Sequence, residues 1–222
     1  MAVRPIPLLP RRRETLDARF YLWVNGLPRN SYWNQQIELL SDLGKGVGWA
    51  AGTLWLATRD GSRGRRAAVA TMAAMLGAIG LVQGPLKATF KRKRPFASRL
   101  AVVVGPRPVD SSFPSGHTAG SFAAAVALSS FYPRHRSMLL GVATAVGFSR
   151  VYLGHHFGSD VLVGAAVGSG LGGAAAGLFR IRSGEPLNTS DEASSANLSR
   201  GEDRGPAARS RNQNSRAGRH RA

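Results

Sequence analysis

Two imidazoles, one carboxylate and three cations are the side chains of this sequence that can do chemistry together. His156 and Asp160 stand four positions apart, so on a helix they share a face, where a carboxylate can hold an imidazole in one tautomer. That pairs an orienting group with an attacking histidine. His117, at the start of another helix, is suited to protonating a leaving alkoxide. Lys87, Arg94 and Arg150 converge with few acids to neutralise them, which calls for an anion with several oxygens. Phosphate fits, because a guanidinium fork matches its geometry and an ammonium adds a point charge. Pro114-Ser115-Gly116, just before a helix, gives a small loop whose N–H groups are expected to face an anion at the helix N-terminus, with the glycine permitting close approach.

The surrounding polar residues are expected to do less. His155 falls off the face shared by His156 and Asp160 and reads as non-catalytic. Asp110 reads as a loop residue, and His135 and His220 as cytoplasmic bystanders. Lys91, Arg92, Lys93 and Arg99 are expected to touch headgroups or substrate.

What elements bring these groups together? The chain has 222 residues, 30 Lys+Arg against 12 Asp+Glu, a net charge of +18 and no cysteine. A disulfide framework, a thiolate metal site and a cysteine nucleophile are therefore excluded. The mean hydropathy of -0.12 averages two unlike parts. Between Ala67 and Phe179 the only acids are Asp110 and Asp160, whereas from Ser183 onward charge, Ser, Gly and Asn dominate. The first part reads as membrane-embedded and the second as disordered.

Residues 67–86 are uncharged and match the roughly 20 residues that a helix needs to cross hydrocarbon. A second span runs from Asp160 or Val161 to Phe179 and is rich in small residues that allow close helix contact. Residues 118–132 and 137–153 are two more, and 47–58 is a shorter fifth. Residues 16–43 are broken by Asn25, Pro28, Arg29 and Asn30, and read as an interfacial or re-entrant segment with Tyr21, Trp23, Tyr32 and Trp33 at the membrane boundary. Arg11–Arg13 is not followed by the apolar run and cleavage site of a secretory signal.

The chain thus divides into an N-terminal basic and interfacial segment (1–45), a membrane-embedded core (46–182) and a disordered basic tail (183–222). The fold class is all-α, an integral membrane bundle of five or six helices. Helices running alternately up and down gather Lys87, Arg94, Ser115, Gly116, His117, Arg150, His156 and Asp160 at one end. The basic clusters at Arg59–Arg66, Arg134–Arg136 and Arg180 onward gather at the other. Lysine and arginine favour the cytoplasmic side, which puts the tail inside and the candidate site outside. The basic loop around Lys91–Arg94 runs against that bias and needs a separate role.

Lys87-x6-Arg94-Pro95, Pro114-Ser115-Gly116-His117 and Ser149-Arg150-x5-His156-x3-Asp160, in this order, resemble the three-part signature of the type 2 phosphatidic acid phosphatase superfamily. The resemblance implies a four-helix core shared with vanadium haloperoxidases and a phosphatase site with no metal and no other cofactor. It further implies that His156 attacks phosphorus to form a phosphohistidine, that Asp160 orients it, and that His117 is the general acid. Lys87, Arg94, Ser115, Gly116 and Arg150 are implied to bind the phosphoryl oxygens. The usual first membrane helix is replaced by the broken 16–43 segment.

The expected protein is a multi-pass cell-membrane phosphatase acting on a phosphomonoester or diphosphate of a lipid or polyprenyl carrier. Its partners are that substrate and the bilayer. No nucleic-acid partner is expected, because the charge lies on no recognisable reading element. Two alternatives stand beside it: a vanadium haloperoxidase-like enzyme sharing the anion pocket, and a non-enzymatic membrane protein that binds anionic lipid.

Overall fold

The structure is a computed structural model that describes residues 15–44, 46–98 and 102–181. Arg11–Arg13, Arg99 and the 183–222 tail with His220, expected to be disordered, lie outside the described residues. Eight α-helical segments follow in order: α1 (Leu16–Asn25), α2 (Ser31–Leu43), α3 (Val47–Arg59), α4 (Gly61–Leu81), α5 (Lys87–Thr89), α6 (Gly116–Phe131), α7 (Arg136–Tyr152) and α8 (Gly158–Ile181). Among the described residues there is no strand.

The broken region resolves into two short helices with their own caps. Thr15 accepts the N–H of Ala18 at 3.2 Å to open α1, and Asn30 accepts that of Trp33 at 2.7 Å to open α2. At 10 and 13 residues each is too short to cross hydrocarbon alone. Both pack on α7, and α1 also touches α8.

The core of the bundle is α6, which packs against α4, α7 and α8. Its interior residues are small, with Ala119, Ala123, Ala124, Ala125 and Ala127 fully buried, so neighbouring helices approach it closely. The nearest approach is that of α8. A Cβ at Gly164, Gly168 or Gly172 would stand 2.6, 2.2 or 2.6 Å from the carbonyl oxygens of Ser115, Ala119 and Ala123, respectively. Glycines four apart therefore form a flat stripe that lets two backbones meet, which fixes the register of α8 on α6. With it is fixed the level of Asp160 relative to Ser115.

At the end of α4, Pro85 has no N–H to return to the preceding turn, and its ring crowds that turn. The chain widens there into a π-helical segment, Val82–Leu86, before α5. Lys87 follows at once and is buried. The opposite end of the bundle is tied by Arg63, which donates to the Phe131 carbonyl at 3.0 Å, and by the Tyr132 hydroxyl on Asp60 at 2.7 Å.

Five spans were expected, but two helical stretches of the described residues are long and apolar enough to cross a membrane, Gly61–Thr89 and Gly158–Arg180. The α6 and α7 helices stop at 16 and 17 residues, bounded by Pro114 before one and Pro133 between them. In α8 only 22% of the most apolar window is buried, whereas a soluble core helix of that composition would hide it. Leu162, Leu178, Leu76, Val69, Trp55 and Met138 all face outward. A surface so rich in apolar groups needs an apolar surrounding.

The glycine stripe makes a stability prediction. Gly168→Leu forces a side chain into the Ala119 backbone and should lower the melting temperature in detergent by more than about 5 °C, as overpacking by a few kcal/mol would. Gly170→Leu, where no atom lies within 4 Å of the added Cβ, should leave it unchanged, and a thermal-unfolding scan of both variants compares them.

Candidate active site

His156 owes its position to the end of α7. Gly154 takes a left-handed φ of 85°, which only glycine adopts freely, and the turn folds back so that the His155 and His156 N–H groups both donate to the Arg150 carbonyl at 3.0 and 3.2 Å. The ring that follows is 2% exposed. Its Nδ1 lies 2.7 Å from the Ser112 carbonyl oxygen. A carbonyl can only accept, so Nδ1 carries the proton. Arg94 Nη1, which can only donate, sits 3.2 Å from Nε2, and the lone pair is therefore on Nε2. Two partners of opposite kind fix the tautomer.

The Asp160 carboxylate, expected to hold this ring, has Oδ2 3.6 Å from Nδ1. That is an electrostatic contact, and the hydrogen bond itself goes to the Ser112 backbone. Burial first, then the charges of Arg94, Arg150 and Lys87, hold His156 well below the ordinary imidazole value. It is therefore neutral at physiological pH, as an attacking nitrogen must be.

Around Nε2 the expected cations assemble. Arg94 is buried and donates to the His155 carbonyl at 3.0 Å and to Asp110 Oδ1 at 2.6 Å. Lys87 donates to the other oxygen of the same carboxylate. Arg150, 4% exposed, donates to Ser41 Oγ at 2.6 Å and to His155 Nδ1. An open bowl of about 540 Å³, lined in part by Lys87, Arg94, Lys93, Arg107 and Asp110, lies over this end.

At the start of α6 the geometry differs from expectation. The Ser115 N–H, expected to face an anion, donates to the Asp160 carbonyl at 3.0 Å, and its hydroxyl accepts from Thr118 at 2.9 Å. Ser115 thus ties α6 to α8. Gly116 opens the helix, and the amide nitrogen of Gln83 is 3.3 Å from where its Cβ would stand. His117 is partly buried in the first turn.

Four residues read as bystanders or surface contacts, or passed over, belong to this network. Asp110, taken as a loop residue, bridges two of the three cations. Burial pushes its carboxyl up, but the hydrogen bonds and charges of Lys87 and Arg94 outweigh that and pull it down to about 2. His155, taken as non-catalytic because it leaves the His156 face, is buried and holds Arg150. Arg92, expected to touch headgroups or substrate, turns inward to Asp160 at 2.8 Å. Asp17 on α1 meets Arg92 at 2.7 Å. Asp110 alone carried a signal: it is one of only two acids between Ala67 and Phe179. Lys91 and Lys93 are exposed.

Known proteins share this arrangement of chain. The sequence model of the PAP2 superfamily matches residues 68–182, which include every expected site residue. YbjG of Escherichia coli (strain K12), named as an undecaprenyl-diphosphatase, is 30% identical over 161 residues, covering 70% of this chain and 78% of its own length. Undecaprenyl-diphosphatase BcrC of Bacillus subtilis (strain 168) is 35% identical over 96 residues, or 40% of this chain and 47% of BcrC. The crystal structure of Aquifex aeolicus LpxE superposes with a TM-score of 0.59 at 24% identity, over 72% of this chain and 94% of that one, and so shares the fold. With the family match running through Lys87, Arg94, His117, Arg150, His156 and Asp160, the chain belongs to the PAP2 superfamily.

Proposed function

We propose that this protein is a membrane phosphatase that hydrolyses a phosphomonoester or diphosphate of a lipid or polyprenyl carrier, without a metal, through a phosphohistidine on His156. The observation that carries the reading is the buried His156 ring, with its proton held on Nδ1 by Ser112 and its Nε2 lone pair aimed at Arg94 among three cations.

The steps follow from the contacts. The substrate phosphoryl group displaces Asp110 from Lys87 and Arg94 and takes a further donor from Arg150. With Arg94 engaged by phosphate, Nε2 is free to attack phosphorus in line with the ester oxygen. The P–N bond forms as the P–O bond breaks, and His117 gives its proton to the departing oxygen. Asp160, at 3.6 Å from Nδ1, steadies the positive charge that the ring gains. Water then attacks phosphorus, giving its proton back to His117, and phosphate leaves as Nε2 recovers its lone pair. Fixed cations stabilise the equatorial oxygens throughout.

A lipid substrate has support beyond the names of relatives. An apolar groove of about 650 Å³ runs between α2, α3, α6 and α7, lined by Leu40, Trp49, Leu56, Leu128, Met138 and Val146 among others. Its lining starts on α2 at Leu40, next in sequence to the Ser41 that holds Arg150, and reaches Tyr132 at the other end of the bundle. An acyl or prenyl chain fits such a surface while its phosphate sits among the cations. The arginine-rich end around Arg59–Arg66 and Arg134–Arg136 then faces the cytoplasm, and the His156 end faces outward.

Four outcomes test this. Purified protein should release phosphate from a panel of undecaprenyl diphosphate, phosphatidic acid and phosphatidylglycerol phosphate, equally with and without EDTA. Loss of all release in EDTA would refute the metal-free route. His156→Ala should lower kcat by about 10⁴-fold or more, as removal of a nucleophile does. His155→Ala removes a partner of Arg150 and should instead raise KM roughly tenfold, the effect of one lost hydrogen bond to a charged group, with kcat largely kept. Asp110→Asn weakens the internal competitor for Lys87 and Arg94. Inhibition by orthophosphate should tighten by about threefold to tenfold, the effect of about 1 kcal/mol; weaker inhibition would mean that the carboxylate organises the cations instead.

A further inference from the structure

We propose that Arg92 is a positioning residue that holds Asp160 charged and aimed at His156, and that Asp17 on α1 in turn holds Arg92, so that the N-terminal helix is a working part of the site. The inference rests on the phosphohistidine reading above.

Asp160 is fully buried, and a carboxylate there stays ionised only with a cation or several donors beside it. Its two oxygens have separate tasks. Oδ2 accepts the Phe157 N–H at 2.8 Å and faces His156 Nδ1 at 3.6 Å. Oδ1 accepts from Arg92 Nη1 at 2.8 Å. The same Nη1 donates to Ser159 Oγ at 2.6 Å, and Nη2 donates to Asp17 Oδ2 at 2.7 Å. Asp17 Oδ1 accepts the Ser159 N–H at 3.0 Å, and the guanidinium lies 4.3 Å over the Phe157 ring. Arg92 is therefore pinned on its edge by two carboxylates and a hydroxyl and on its face by an aromatic ring.

Its backbone is tied to the other side of the histidine. The Arg92 N–H donates to Ser111 Oγ at 3.1 Å, and its carbonyl accepts the Ser112 N–H at 3.0 Å. Ser112 is the residue whose carbonyl holds the His156 Nδ1 proton. One residue thus braces both groups that face Nδ1. The charged groups around this cluster are Asp17 from α1, Arg92 from the loop after α5, and Asp160 and His156 at the start of α8, with Arg94, Arg150 and Lys87 on the Nε2 side.

When Nε2 bonds to phosphorus, the ring becomes cationic and Asp160 is its counter-charge. An Asp160 that turns away or takes up a proton loses that role, whereas the phosphate-binding cations are untouched. Loss of Arg92 should accordingly appear in kcat and leave KM alone. Were Arg92 a direct phosphate ligand, KM would rise instead.

The experiment measures kcat and KM for phosphate release by the full-length protein in detergent, with orienting-group effects as the yardstick. Arg92→Met should lower kcat about 100-fold with KM within about threefold. Arg92→Lys, which can reach Asp160 but cannot also hold Asp17, should recover about tenfold of that. Asp17→Asn should lower kcat about fivefold at unchanged KM. A raised KM with kcat intact, or wild-type kcat in Arg92→Met, overturns the proposal. If Arg92→Met does not fold, wild-type kcat in both Arg92→Lys and Asp17→Asn overturns it as well. His156→Ala is run alongside: turnover that survives it sinks the phosphohistidine reading itself, whereas its loss with Arg92 variants unaffected sinks only the positioning role.

Discussion

Lys87, Arg94 and Arg150 carry like charges around one neutral imidazole, and much of the surrounding structure serves to hold them there against their own repulsion. In a partly desolvated site such repulsion is stronger than in water. Each cation is therefore met by polar partners: Lys87 and Arg94 share Asp110, Arg94 also has the His155 carbonyl, and Arg150 has Ser41 and the His155 ring. These partners come from three parts of the chain, α2, the loop before α6 and the turn after α7. Asp110 stands where an anion would, while the His155 carbonyl holds Arg94 and Ser41 and the His155 ring hold Arg150 in place.

The same need explains why the site lies where four helix ends meet. The α4 helix delivers Lys87 through the π turn at Pro85, α6 opens after Ser115 with Gly116 and His117, α7 delivers Arg150 and the His155–His156 turn, and α8 carries Asp160 in its first turn. Asp160 would leave this level if α8 slid along α6. The Gly164, Gly168 and Gly172 stripe prevents that by seating α8 directly on the Ser115, Ala119 and Ala123 carbonyls. The same packing therefore sets the level of Asp160 against the Ser115 backbone.

The sequence disclosed the helical class, the alternation that gathers the motifs at one end, and the side chains that form the cradle, because each depends on residue type and spacing. It also disclosed that residues 16–43 do not form a single span, since Pro28 and Asn30 interrupt the apolar pattern. It did not disclose the partners. That the His156 proton goes to the Ser112 carbonyl, and that Ser115 N–H turns to Asp160, are backbone facts, and every residue has a carbonyl and nearly every one an N–H. A helical-face argument separates His155 from His156 but does not show that His155 meets Arg150, because both histidines lie between α7 and α8 and not on a helix. Asp17 and Arg92 are 75 positions apart, beyond any local pattern. The expected spans at 118–132, 137–153 and 47–58 fold as α6, α7 and α3 with nearly those bounds, and at 16, 17 and 13 residues they are shorter than the two long apolar stretches.

Seen from the bilayer, the bundle separates two demands that conflict in a single solvent. Its flanks, from Val69 and Leu76 on α4 to Leu162 and Leu178 on α8, suit hydrocarbon, whereas a charged cradle in hydrocarbon would be costly. Setting the cradle at the helix ends resolves the conflict, since the phosphate of a lipid already sits at the boundary and its chain already lies along the flank. The α1 and α2 helices complete this division. Too short to span, they pack against the α7 and α8 ends and supply Asp17 and Ser41 to the charged network, closing over the site polar groups that a transmembrane helix in the same place would have carried into the apolar layer.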